Sequence, residues 1–406
     1  MTETIGTPIV AAAQAEGAQD QHMVINMGPQ HPATHGVLRL VLELDGETIV
    51  HIYPEIGYLH TGIEKTCEAK FYQQVVPLTD RINYLDPLSN NLCYALVVEK
   101  LLDLEIPEKG QWLRVVLAEL SRLNSHLIWL GTHAMDIGAL TMFLYCWRER
   151  EEILRIFEGL AGQRMMTSYI RIGGVSMEPP LDFYSRVQEF IRILPSKIDE
   201  YEGLLTGNPI FRNRLIGVGT ISGADAIALG VSGPPLRASG VDFDLRRDMP
   251  YSSYEKFQFH VPTSTVGDCW ARYEVRMIEM RESIKIIQQA LDGMPAGALN
   301  ADAPKIVLPD REEMKTQMEA LIHHFKIVTE GFNVPKGEVY QGIECGHGQM
   351  GYYVVSDGSA KPWRVHMRYP SFATLQALEA MCAGRMIPDV VAVIGSIDIV
   401  LGEIDR

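Results

Sequence analysis

Residues 26–40 read NMGPQHPATHGVLRL, and the two prolines in this stretch constrain the fold more tightly than any other feature of the chain. Pro29 and Pro32 each lack a backbone donor and push the preceding residue out of the α region, so His31 and His35 are displayed from a turn, not from one helical face. A zinc-protease pair at this spacing needs a helix with a glutamate between the histidines. Here Pro32, Ala33 and Thr34 intervene, which disfavours a metal. The run Val37 to Leu44 then reads as a strand closed by an Asp45-Gly46 hairpin turn. Taken alone, the two imidazoles read as partly buried side chains bracing a loop.

Leu127 to Trp147 is long enough to cross a bilayer, but His133 and Asp136 lie in its middle and Gly131 and Gly138 loosen it. A bare carboxylate near mid-bilayer costs roughly 2.5–3.5 kcal/mol. Two buried helices meeting at a glycine corner are predicted instead. Strands and turns dominate residues 23 to about 75, helical periodicity dominates Leu88 to Leu291, and strands return over 336–370, an α+β order. The helix from Gln111 is expected to bury one broad stripe (Leu113, Val116, Leu117, Leu120, Leu123), with Arg114, Ser121 and Arg122 on other faces. Asp268 should cap a helix whose seam runs from Trp270 and Tyr273 to Leu291, a stripe that reads as packing. Asp310 and Glu313 suggest a capping box ahead of Met314, Met318, Leu321 and Phe325.

A net charge of −15 argues against nucleic acid or an anionic membrane surface as the main partner, and a 21% charged fraction suggests surface covered by other proteins. The six cysteines include no C-x-x-C, so no zinc knuckle or iron–sulfur site is encoded by this chain alone; most should be buried thiols. Residues 1–22, acidic and rich in Ala, Gln and Gly, are expected to form a disordered cytoplasmic extension.

Four motifs in order, GPQHPATHGVLRL, GYLHTGIEK (57–65), TDRINYLDPLSNN (79–91) and DIVLGEIDR (398–406), resemble the D subunit family of the proton-pumping NADH:quinone oxidoreductase, respiratory complex I, from about Met23 to Arg406. That resemblance implies a hydrogenase-large-subunit-like α+β fold: an amino-terminal antiparallel β region (23–75), a central helical bundle (76–300) and a small carboxy-terminal α/β region (301–406). It implies a peripheral subunit on the cytoplasmic side of a bacterial cell membrane that forms the quinone-reducing site with an iron–sulfur-cluster-bearing subunit. Further partners would be other hydrophilic-arm subunits and a membrane-arm subunit at the quinone entrance, with no cofactor bound by this chain alone and no metal of its own.

Quinone reduction takes two electrons and two protons, and a Tyr hydroxyl and a His N–H can donate to the carbonyl oxygens without a metal. The resemblance assigns the headgroup to His35 and Tyr84, with Asp136 as the acid partner of His35, and puts Arg81 near a four-iron four-sulfur cluster held by the neighbouring subunit. Without it, Tyr84 reads as a core or turn residue, Asp136 as a helix-end cap, and Arg81 as a salt-bridge partner of Asp80 or Asp86.

The same motifs resemble nickel–iron hydrogenase large subunits, whose two C-x-x-C pairs correspond here to Asn83 and Asp86 and to Val400 and Glu403. A soft metal site needs thiolates. All four are missing, which points away from hydrogenase chemistry and leaves the former metal pocket as a place for a quinone head. The family's histidine beside the cluster is Met166 here, and the arginine of its G-Y-L-H-R-G is Thr61. ECGHGQMG (344–351) also departs from relatives, which commonly carry a proline and more charge there. An equivalent subunit of a ferredoxin- or deazaflavin-fed complex, or a non-catalytic scaffold, remains open on sequence grounds.

Overall fold

The leucines after the histidine loop alternate as a half-buried strand requires. In the computed structural model, which describes residues 22–406, strands β1 (Met23–Met27), β2 (Arg39–Asp45) and β3 (Thr48–Glu55) form an antiparallel sheet in that order. Leu40, Leu42 and Leu44 are buried beneath it. The extension expected over 1–22 lies outside the described residues, His22 apart. Between β1 and β2 the loop closes as a single 3-10 turn, Pro32–Thr34, where the missing proline N–H is no loss. His31 caps this turn, its Nδ1 accepting from the Ala33 amide at 3.2 Å.

Residues 63–68, expected within the β region, and 72–79, which begin in it, are short helices. Long-range bonds hold the first: Glu64 accepts from Arg364 at 3.0 Å and from the Met367 amide at 2.9 Å, contacts no local pattern records.

Five long helices build the centre: α1 (Pro87–Leu102), α2 (Glu108–Asp136), α3 (Leu140–Ala161), α4 (Phe183–Leu205) and α5 (Cys269–Gly293). The apolar stretch 127–147 is split between α2 and α3, with Gly138 at φ 102° in the corner. Among the described residues no helix is long and apolar enough to cross a membrane. Asp268 caps α5 as expected, accepting from the Ala271 amide at 2.7 Å.

The expectation of one buried stripe on α2 is overturned, because Arg114, Ser121 and Arg122 are buried as well. The helix runs through the interior, and its charged side chains are tolerated because they are paired. Arg114 meets Glu99, and Arg122 donates to the carbonyls of Glu344 (2.6 Å) and Cys345 (2.8 Å). Near residue 310 the expectation also needs correcting. Asp310 caps only the short helix Arg311–Thr316, Glu313 does not bond back to it, and the following helix, Met318–Glu330, leaves Met318, Leu321 and Phe325 exposed.

A short hairpin, β4 (Ile170–Arg171) and β5 (Gly174–Val175), lies against α2. The carboxy-terminal region is an antiparallel sheet of β6 (Gly337–Cys345), β7 (Gly348–Ser356) and β8 (Arg364–Arg368), followed by helices that include α6 (Ile387–Ile397) and α7 (Leu401–Asp405). The α+β organisation is therefore present, and one hydrophobic cluster runs through all of it from Met27 to Ile404.

Candidate functional site

The motifs that are far apart in sequence meet at the carboxy terminus. The amides of Gly57 and Leu59 donate to the Asp405 carboxylate at 2.8 and 2.6 Å, tying GYLHTG to DIVLGEIDR. Gly402 lies so close to the Ile82 carbonyl that a Cβ would overlap it, and this lets α7 pack onto TDRINY. Asn83 Oδ1 accepts from the amides of Leu85 (3.1 Å) and Asp86 (3.0 Å). Its amide nitrogen is thereby turned toward Glu403 and toward His347 Nδ1, 3.0 Å away.

His347 comes from the two-residue turn between β6 and β7, where Cys345 pairs with Gly348. The turn is pinned by the Gly346 amide, which donates to Asp86 Oδ2 at 3.1 Å. His347 Nε2 lies 3.3 Å from Asp398 Oδ2 and 3.3 Å from the Ser125 hydroxyl. Glu403 also accepts from the Ser371 hydroxyl at 2.5 Å. Burial works against a charge on His347 and Asp398 works for it, with the balance on the raised side. The Asn83 amide nitrogen lies at hydrogen-bond distance from Nδ1 and the Ser125 hydroxyl from Nε2, so both ring nitrogens are engaged.

Asn83, Asp86 and Glu403, three of the four positions that match hydrogenase nickel ligands, thus do come together. The pocket expected to be vacant is not. Hydrogen-bonded side chains, with His347 among them, fill it, and all are buried. A molecule the size of a quinone headgroup can approach only from outside this cluster.

Tyr84 borders it. Burial raises the Tyr84 hydroxyl pKa, with Glu403 adding to the rise and His347 opposing it. His35, in the left-handed conformation at φ 54°, borders the cluster from the amino-terminal loop. Its side chain keeps solvent access, yet it is crowded enough that desolvation lowers its pKa, opposed by the Asp398 charge. Among the described residues neither the Tyr84 hydroxyl nor the His35 ring has a hydrogen-bond partner.

Asp136 ends α2 without a hydrogen-bond or ion-pair partner among the described residues, and burial pushes its carboxyl up to about 6. It is neither hydrogen-bonded nor ion-paired to His35, and Asp398 likewise has no hydrogen bond to that ring. Arg81 is exposed and donates to the Pro77 carbonyl at 2.5 Å, with no salt bridge to Asp80 or Asp86. Asp80 is buried, held by the Ser168 hydroxyl at 2.5 Å, and desolvation raises its pKa to about 6.

Sequence reasoning missed His347, Cys345 and Asp398. The signal available was ECGHGQMG, legible as a departure but not as a contribution to the centre. It also creates the one group of three potential metal donors found among the described residues: Cys345 Sγ, a His347 ring nitrogen and a Glu403 carboxylate oxygen, all within 4.8 Å of one another.

Comparison with known proteins matches residues 136–406 to the family described as respiratory-chain NADH dehydrogenase, 49 Kd subunit. The chain is 70% identical over 391 residues to the second NADH-quinone oxidoreductase D subunit of Koribacter versatilis, covering 96% of this chain and 98% of that one. It is 65% identical over 396 residues to the first D subunit of Solibacter usitatus (98% and 96% covered) and 56% identical over 411 residues to the second D subunit of Chloroflexus aurantiacus (100% of both). The chain belongs to the family of the 49 kDa, or D, subunit of the respiratory-chain NADH dehydrogenase, and is an oxidoreductase subunit of complex I.

Proposed function

We propose that this subunit forms the headgroup end of the site where complex I reduces quinone, with Tyr84 and His35 as the groups that touch the two carbonyl oxygens. The observation that carries the reading is that these two side chains flank one buried charged cluster and are left without hydrogen-bond partners. Each can donate a hydrogen bond to a quinone oxygen and pass a proton as the oxygen gains charge. Asp398 favours a proton on the His35 ring. Asp136, its carboxyl held near neutrality by burial, is the further acid of the site, poised to accept or release a proton as His35 cycles. Electrons come from a four-iron four-sulfur cluster carried by the neighbouring subunit, beside which the exposed Arg81 would lie. The remaining partners are other hydrophilic-arm subunits and a membrane-arm subunit at the quinone entrance, with this chain peripheral on the cytoplasmic side of the membrane.

The test is NADH-driven reduction of a short-chain quinone by membranes carrying Tyr84→Phe, with an artificial acceptor at the input end as control and assembly verified. The hydroxyl has no partner to lose, so folding should be unaffected. Quinone reduction should fall about 100-fold or more, the low end of what a positioned proton donor contributes. A rate within a factor of about three of wild type would move the chemistry elsewhere and favour a scaffold role.

A further inference from the structure

The departure at residues 344–351 sets a thiol and an imidazole two residues apart on one tight turn and aims them at the terminal helix. We propose that Cys345, His347 and Glu403 form a buried binding site for a borderline divalent cation, zinc(II) foremost, built from donors different from the absent hydrogenase thiolates.

Three observations support it. The donor set mixes sulfur, nitrogen and oxygen, the combination zinc accepts and the hard cations refuse. The three donor atoms lie within 4.8 Å of one another, and His347 Nδ1 is 3.9 Å from Glu403 Oε1, so small rotamer shifts would bring them onto one ion. The outer partners that orient metal ligands are also in place. His347 Nε2 is hydrogen-bonded to the Ser125 hydroxyl at 3.3 Å, with Asp398 Oδ2 also 3.3 Å away, which leaves Nδ1 as the ring nitrogen that faces Glu403, and Glu403 is held by Ser371 at 2.5 Å.

The charge balance points the same way. Asp86, Asp398 and Glu403 are three buried carboxylates near this imidazole, with buried Arg276 as a further cation acting on Asp398, and among the described residues Asp86 Oδ1 has no hydrogen-bond partner. One amide nitrogen, that of Asn83, is approached at once by His347 Nδ1 and a Glu403 oxygen. A cation taking that position displaces the Asn83 amide and releases the Cys345 thiol proton to solvent, giving a thiolate–metal bond. Being closed on all sides, such a site would lock the β6–β7 turn to α7 behind Tyr84. It stands or falls independently of whether Tyr84 touches quinone.

The test is the zinc content of the purified complex after a chelator wash, with X-ray absorption at the zinc edge, for wild type, Cys345→Ser and His347→Gln. Wild type should carry one equivalent more zinc than His347→Gln, with one sulfur neighbour among nitrogen and oxygen, and Cys345→Ser should lose the sulfur signal. No zinc in wild type, a zinc edge lacking sulfur, or equal zinc in wild type and both variants overturns the site. If the variants fail to assemble, the wild-type spectrum decides alone.

Discussion

Glu99→Gln is a sharp test of how the interior of α2 is held. Glu99 on α1 and Arg114 on α2 form a bidentate pair at 2.6 and 2.9 Å, with Arg114 0% and Glu99 3% exposed. The same carboxylate accepts the Gly173 amide at 2.8 Å, and Arg114 donates onward to the carbonyls of Arg171 (2.8 Å) and Gly174 (2.9 Å). One pair thereby ties two helices to the β4–β5 hairpin. Glutamine preserves the shape but offers a single acceptor oxygen to three donors, turns its own NH₂ against at least one of them, and leaves the guanidinium buried without a counter-charge. Breaking a buried pair by removing one partner costs about 3–5 kcal/mol. At about 4 kcal/mol, local opening becomes roughly a thousandfold more frequent. Hydrogen exchange followed by mass spectrometry on the assembled complex should show the peptide covering residues 168–176 exchanging faster by that order. Replacing both partners, Glu99→Leu with Arg114→Met, should recover part of the protection, because no unpaired charge remains although the bonds to Gly173, Arg171 and Gly174 are lost. Acceleration of less than about fivefold in the single variant, or a double variant as damaged as the single, would refute the argument.

Gly395→Ala would place a methyl in overlap with the buried ring of His133, while Trp129 Nε1 donates to the Gly395 carbonyl at 2.8 Å; a loss of about 1–3 kcal/mol is expected in chemical denaturation, and an unchanged midpoint would show that the ring can move aside. Asp136, its carboxyl raised from the ordinary 3.8 to about 6, is protonated more readily folded than unfolded. Its contribution to stability is therefore greatest below about pH 4 and lost as pH rises through about 6, so Asp136→Asn should flatten the stability curve across that window, which denaturation midpoints at several pH values would reveal. If the proposed four-iron four-sulfur cluster of the neighbouring subunit lies beside Met166, which cannot titrate, its potential should vary little with pH; a redox titration with a steep slope would dismiss this.

The sequence by itself determined the local elements whose causes are local. Pro29 and Pro32 forced the histidine loop into a turn, the Leu40–Leu42–Leu44 alternation made a half-buried strand, Gly138 placed the α2–α3 corner, and Asp268 opened α5. Four ordered motifs also identified the family and nominated Tyr84, His35, Asp136 and Arg81. Periodicity failed where pairing decides burial. Arg114 and Arg122 read as surface residues because nothing local reveals Glu99 or the carbonyls of Glu344 and Cys345 waiting for them. Met318, Leu321 and Phe325, apolar and at helical spacing, are exposed, since an amphipathic stripe does not say whether this chain covers it. Only the tertiary structure could fill the expected pocket with His347, set Asp398 beside it, and gather Cys345, His347 and Glu403. Those relations join residues dozens to hundreds of positions apart, and their energies depend on burial and on the partner present, neither of which any single segment encodes.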